Sequence, residues 1–273
     1  MMKIKKVDTS HMSAMELKEH RLSIVYKVLP VISILLLIGL WLVASGAGTG
    51  FPSPQEVWER TVRLFTKPIK KLTLIGHVLV SLRRVLIGLG ISFALAFLTS
   101  LLTAYRPNQA EYLRQIINFM RNVPPLAVIS LLILWFGIGE TPKIIVIVLA
   151  SFFPIYMNIS KGFLECDRKL IEVGRSMGFS EKKVFWKICL PYAREDILVG
   201  LRTGLGYSWR ALIGAEMIAA SSGLGYMIVY AQQMSRSDKV LIGIFLIGII
   251  GCISDMLFSL LIRKVCVGGV KND

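Results

Sequence analysis

The chain is poor in acidic residues and in side chains that bind metals. Seventeen Asp and Glu stand against 32 Lys and Arg, charged residues occupy only 18% of the 273 positions, and there are three histidines and four cysteines. Cys166, Cys189, Cys252 and Cys266 fall in no metal or redox spacing, and read as small apolar residues in or near packed segments. His11, His20 and His77 are too scattered to share a metal ion. No G-x-x-x-x-G-K-[ST] run occurs, so a P-loop for ATP is not expected, and neither H-E-x-x-H nor G-x-S-x-G is present. Gly204-x-Gly206 and Gly223-x-Gly225 are lone glycine pairs without a strand–turn–helix setting. Nothing here provides for catalysis, so the chain reads as a non-enzyme that binds no cofactor or metal itself. A removable signal peptide is not expected either. Residues 1–27 are polar and basic, and the apolar run that follows is too long and has no small-residue cleavage site.

What the chain has in excess is apolar sequence: 54% of positions, with a mean hydropathy of +0.64. Soluble domains average about 45–50% apolar and about 25% charged residues. Long apolar runs exclude a disordered chain, a disulfide-stapled mini-domain and a coiled coil. The formal charge of +15 suggests nucleic acid when taken alone. In a chain this apolar it points instead to a membrane, because cytoplasmic loops collect Lys and Arg. The composition therefore predicts an all-α, polytopic membrane protein.

A crossing helix needs about 20 mostly apolar residues, and six segments qualify. They are Val28–Ser45, Arg84–Ala104, Asn122–Gly139 (opening at Pro124–Pro125), Lys143–Ser160 with Pro154 inside it, Ile197–Ala220 and Val240–Ile262. With the N-terminus inside, the inner segments 1–27, 105–121, 161–202 and 263–273 hold 21 of the 32 basic residues and the outer segments hold eight. Arg83, Arg84 and Arg210 make up the rest. Both termini are therefore expected in the cytoplasm. The outer connection 46–77 opens as a capped helix, with Ser53 at the N-cap, Pro54 at the first helical position and Glu56 closing a capping box. Val57, Trp58, Val62 and Phe65 share a face of it, which suits either an interfacial amphipathic helix or a short packing helix.

The connection 161–202 holds nine basic residues, yet its apolar residues keep helical spacing. Asp167 is placed to cap a helix striped with Leu170, Ile171, Val173 and Met177, which Gly178 would end in a left-handed conformation. Ser180 caps a second helix lined by Val184, Phe185, Ile188 and Cys189, before Leu190–Pro191 breaks the chain. Such short helices are marginal alone, so this pair packs on something, be it a partner or its own spans.

Glu172-Val173-Gly174-Arg175-Ser176-Met177-Gly178, nine residues, then Ile188-Cys189-Leu190-Pro191 resembles the EAA loop of ATP-binding-cassette importer permeases. That pattern reads E-A-A, three residues, G, nine residues, I-x-L-P; here Val173 and Gly174 replace the two alanines. The resemblance extends over about residues 28–263. Phe51–Trp58, Leu132–Lys143 and Ala215–Ile228 are similar to segments of the nitrate/sulfonate/taurine branch of these inner-membrane subunits. Ser130 departs from the branch, which usually has proline there, and this leaves open the kink that proline would impose.

The resemblance implies a type I importer permease fold of six transmembrane helices. Residues 1–27 would be a basic cytoplasmic segment and 28–76 the first helix with its outer amphipathic segment. The core would be 77–263, with a coupling loop at about 163–191, and 264–273 a cytoplasmic tail. It further implies a multi-pass protein of a bacterial cytoplasmic membrane, working with two copies of an ATPase subunit, a second permease copy and an extracytoplasmic binding protein. ATP would be used by the partner ATPase. In the ATPase-docking loop the matching residues are Glu172, Gly174, Arg175, Gly178, Ile188, Leu190 and Pro191, with Arg175 as a salt-bridge partner. The basic balance then faces that partner and lipid head groups, with no call for nucleic acid.

Arg210, Glu216 and Asp255 lie inside the spans. Intramembrane charges are functional candidates by default. Arg210 would attract an anion such as a sulfonate and Glu216 would hold a gate near the outer side; alternatively each pairs with another span or with the second copy. The branch points to an aliphatic sulfonate, taurine or nitrate as cargo. Permeases for thiamine-precursor pyrimidines and other heterocycles look much the same. An ion-coupled secondary transporter, with the three charges as its relay, is the competing class, but it leaves the EAA spacing unexplained.

Overall fold

Apolar helices dominate the molecule because each can satisfy its backbone internally, which is what a bilayer demands. The computed structural model describes residues 14–47, 51–66, 68–70, 72–105 and 107–267. The ends of the N-terminal segment and of the C-terminal tail (1–13 and 268–273) lie outside the described residues, as do Lys67, Lys71 and Arg106. The chain forms two compact units, residues 1–59 and 60–273.

The first unit holds α1 (Ala14–Gly46), whose apolar part Val28–Gly46 is long enough to cross a membrane, with its side chains turned outward. Trp41 donates its Nε1–H to the Pro52 carbonyl at 2.9 Å. The predicted capping box starts α2 (Pro54–Thr66): Glu56 N–H donates to Ser53 Oγ at 3.3 Å and Ser53 N–H to Glu56 Oε2 at 3.2 Å. The predicted single apolar face of α2 is divided. Val57 is buried, whereas Trp58, Val62 and Phe65 are exposed, because they lie about 80–140° around the helix from it.

The second unit is built around α6 (Glu140–Leu164), packed between α3 (Leu74–Tyr105) and α10 (Arg194–Ala219). Small residues make these approaches close. A Cβ on Gly88 would come within 2.5 Å of Ile147 Cγ2, and one on Gly204 within 2.5 Å of Ile155 Cγ1. The Gly200–Gly204 pair thus seats α10 on α6 of the same chain. Two further helices pack against α10: α11 (Leu224–Gln233) and α12 (Ser237–Val267), with Gly243 of α12 against Ile228 of α11.

Four helices are long and apolar enough to cross a membrane, and two bent pairs bring the number to six if each pair is one span. The first bent pair keeps Pro125–Phe136 of the predicted segment Asn122–Gly139 and adds Glu111–Met120, which the sequence reading left in the connection 105–121. There α4 (Pro107–Met120) ends, a 3₁₀ turn at Pro125–Val128 follows, and α5 (Ile129–Phe136) leaves at 76°. The cause is the proline pair: Pro124 is extended (φ −62°, ψ 122°), as a residue before proline prefers, and neither proline has an N–H to give. Ser130 sits inside α5, so the bend lies at 121–124 and not at that position. The second bend, of 44°, separates α10 from α11.

Candidate functional site

Between α6 and α10 the chain leaves the apolar bundle. Asp167 accepts from Lys169 N–H at 2.9 Å and starts α7 (Arg168–Ser176). Gly178, at φ +77°, ends it: Gly178 N–H bonds to Arg175 O and Phe179 N–H to Gly174 O, the paired closure of a Schellman motif. Ser180 Oγ then accepts from Lys183 N–H and caps α8 (Glu181–Val184).

The expected break at Leu190–Pro191 does not occur. Residues Phe185–Cys189 widen into a π turn in which Leu190 N–H reaches back to Phe185 O, and α9 (Leu190–Tyr192) continues to Ala193. The wider turn gives the proline ring room, and Pro191 has no N–H to satisfy. Phe185 anchors this half of the loop to the bundle, with ring centroids 5.1 Å from Tyr105 and 5.2 Å from Phe163. Gly174 is buried because Ile188 leans over it: a Cβ there would lie 2.5 Å from Ile188 Cδ1. Arg175 is already engaged inside the loop, with two bonds to Glu181 at 2.9 and 3.1 Å that hold its guanidinium firmly protonated. Glu172 and Pro191 are exposed and Leu190 half-buried. Of the predicted stripe on α7 only Ile171 is half-buried, while Leu170, Val173 and Met177 are 45%, 56% and 68% exposed. Cys166, just before α7, is buried, and burial and a hydrogen bond with Cys189 push its thiol up to about 12.

The second cluster lies at the α10–α11 bend. Arg84 of α3 is buried and uses all five N–H groups. Nε and Nη2 donate to the two oxygens of Glu140 at 2.7 and 2.6 Å, and Nη1 to Glu216 Oε1 and Ser222 O at 2.7 Å each. The fifth reaches Ser222 Oγ at 3.3 Å. Lys143 bonds to Glu140 at 2.8 Å, so the four charges balance. Glu216 also faces Ser81 Oγ at 2.9 Å and accepts from Gly225 N–H at 3.0 Å. Leu224 N–H donates to Ser81 Oγ at 2.9 Å. Gly223 N–H donates to His77 Nδ1 at 3.1 Å, which leaves the ring proton on Nε2, toward Ile69 O at 3.4 Å. The N–H groups freed by the bend at Gly223, Leu224 and Gly225 are thus all taken up, the condition for irregular backbone at membrane depth.

Glu216 therefore pairs with another span of the same chain. Sequence reading placed Arg84 at a span edge and gave no role to His77, Ser81, Glu140 or Lys143. The signal was a polar stripe at helical spacing in an apolar helix: His77, Ser81, Arg84, Gly88, Ser92, Ala96 and Ser100 all face inward on α3.

Arg210 and Asp255 lie elsewhere, in a cavity of about 1000 Å³ between α10 and α12. Asp255 is held by Arg202 through two bonds of 2.6 Å. Arg210 sits over the Tyr207 ring, 5.5 Å from its centroid. Glu216 does not line this cavity.

Residues 87–266 match the family described as binding-protein-dependent transport system inner membrane component. The chain is 36% identical over 234 residues to the aliphatic sulfonates transport permease protein SsuC of Bacillus subtilis (strain 168), covering 84% of this chain and 83% of that one. It is 36% identical over 215 residues to the taurine transport system permease protein TauC of Escherichia coli (strain K12), covering 78% of each. In architecture it is similar to a chain of the MetNI methionine ABC transporter in an inward-facing conformation, with a TM-score of 0.59 at 19% identity, over 76% of this chain and 98% of that one.

Proposed function

Since this chain belongs to the family of binding-protein-dependent transport system inner membrane components, we propose that it forms the translocation pathway of an ATP-driven importer for a small polar substrate, an aliphatic sulfonate, taurine or nitrate. The names of the relatives that share over a third of its residues support the sulfonates and taurine; nitrate rests on the branch's sequence segments.

The observation that carries the mechanism is the apolar face of α7. Leu170, Val173 and Met177 are presented outward on a helix capped at both ends, next to a second short helix fixed by Phe185. An exposed apolar patch on a rigid element is a docking surface, and the absence of a P-loop leaves ATP binding to another chain. Two ATPase subunits engage this loop on two permease copies, and an extracytoplasmic binding protein delivers the cargo. Glu172 and Gly178 contact and shape the joint. Arg175 holds α7 to α8 through Glu181, and Gly174, Ile188, Leu190 and Pro191 set the packing beneath. As ATP draws the ATPases together, the docked helices move and the spans alternate between outward-open and inward-open states. Arg210 and Asp255 face the pathway, whereas Glu216 anchors the bend. Both termini lie in the cytoplasm, where the basic residues concentrate.

Co-purification with the ATPase tests the docking. Replacing Glu172 and Gly178 together is expected to abolish the complex, and an unchanged complex would remove the loop from the joint. Uptake of taurine, ethanesulfonate and nitrate into vesicles holding the complete transporter tests the cargo. Uptake of none of the three, with a heterocycle carried instead, would overturn it.

A further inference from the structure

The cavity between α10 and α12 carries more positive charge than its own carboxylate can neutralise. Arg202, Arg210 and Arg263 line it against the single acid Asp255, both oxygens of which are occupied by Arg202. Neither Arg210 nor Arg263 has a carboxylate partner among the described residues. Arg210 is nevertheless exposed on a membrane-crossing helix, sixteen residues beyond Arg194, or roughly 24 Å along the axis. An arginine at such depth is costly to leave in lipid, so it faces water or an anionic partner.

The walls are also cut back where a ligand would need room. Gly206, Gly248 and Gly251 line the cavity, and a Cβ on any of them would meet nothing within 4 Å. Elsewhere Gly88, Gly204 and Gly243 are filled against side chains, so this open face differs from the glycines used for packing. Arg210 lies eight residues beyond Arg202 on α10, and Arg263 eight beyond Asp255 on α12, which as the next crossing runs the opposite way. That places one unneutralised guanidinium roughly 12 Å to each side of the neutral pair.

We propose that this cavity is a two-station anion site on the transport path, with Arg210 and Arg263 each receiving the oxyanion group of the cargo. The proposal rests on the chain being a permease for a cargo that carries a sulfonate or nitrate oxyanion group, and it assigns the selection of that group partly to this chain. The neutral Arg202–Asp255 pair separates the stations, so an anion is attracted at both without being trapped between them.

Cys252 is exposed and lines the same cavity, which makes it a native reporter. The full chain in nanodiscs of zwitterionic lipid is treated with 2-sulfonatoethyl methanethiosulfonate or its trimethylammonioethyl counterpart. The thiolate displaces methanesulfinate and forms a mixed disulfide, scored at Cys252 by peptide mass spectrometry. The anionic-to-cationic rate ratio at Cys252 is expected to exceed that of free glutathione by about tenfold, to fall severalfold in Arg210→Gln and in Arg263→Gln, and to be retained in Arg210→Lys. Methanesulfonate is expected to slow the anionic reagent. A ratio equal to that of glutathione, a ratio untouched by either Gln variant, or an unreactive Cys252 overturns the proposal. So does protection by added phosphatidylglycerol without protection by methanesulfonate, which would make the site one for a lipid head group. If a Gln variant does not elute as a single species, the wild-type ratio and the methanesulfonate arm decide. Labelling needs neither ATPase nor binding protein, so its failure is separable from failure of ATP-driven uptake.

Discussion

Arg84 sits between two carboxylates with every N–H engaged, and this makes individual substitutions around it informative. Glu216→Ala leaves a buried guanidinium short of one charge partner and strips the acceptor from Gly225 N–H. The expected loss is roughly 3–5 kcal/mol, read as a fall in the thermal midpoint of the detergent-solubilised chain by fluorescence-detected size exclusion. Exchanging the two residues, Arg84→Glu with Glu216→Arg, is expected not to restore it, because Glu140 then faces a second carboxylate. Glycines divide in the same measurement. Gly223 has φ +115°, and a Cβ there would overlap the Glu216 carboxylate, so Gly223→Ala is expected to destabilise by more than about 1–3 kcal/mol. Gly206 is helical and meets nothing, so Gly206→Ala is expected to gain up to about 1 kcal/mol. The cysteines separate chemically. The thiolate is the reactive form, and a thiol raised to about 12 holds almost none of it near neutrality. At pH 8 N-ethylmaleimide is therefore expected to modify exposed Cys252 and spare Cys166 in the native chain; equal modification by peptide mapping would refute the buried assignment.

At the scale of elements, legibility followed how local the controlling physics was. The caps Ser53, Asp167 and Ser180 and the left-handed stop at Gly178 were readable because each depends on a residue and its near neighbours. Pro191 misled because a proline's local rule is to interrupt, and the π turn that accommodates it depends on Phe185 packing between Tyr105 and Phe163. The inward polar stripe of α3 escaped for a different reason. In lipid the apolar face turns outward, so the usual equation of apolar with buried runs backwards, and the partners of Arg84 lie 56 and 132 residues away. Loop design also predicts a graded effect. Gly178→Ala forces a side chain into the left-handed region at about 1–2 kcal/mol, and Ser180→Ala removes a cap worth about 1 kcal/mol. Both are expected to weaken ATPase co-purification less than the Glu172 and Gly178 double replacement.

For the whole molecule the asymmetry of charge makes a claim about direction. Of 32 basic residues, 21 fall on the segments assigned to the inner face, and nine of those lie in the single connection 161–202. Lys and Arg near span ends are retained on the cytoplasmic side, and the helix pair of that connection can reach an ATPase only from there. The bent spans complicate a simple count: if either bent pair re-entered without crossing, the parity of the chain would change and the two termini would lie on opposite faces. Green fluorescent protein fused to the C-terminus fluoresces only in the cytoplasm, and alkaline phosphatase is active only outside it. With six crossings, the fluorescent fusion is expected to be bright and the phosphatase fusion silent at both the N- and C-terminal ends, and at a site in 161–202. A phosphatase-active fusion at one terminus alone would show that one bent pair does not cross. A phosphatase-active 161–202 site would place the α7–α8 loop outside and remove the coupling role.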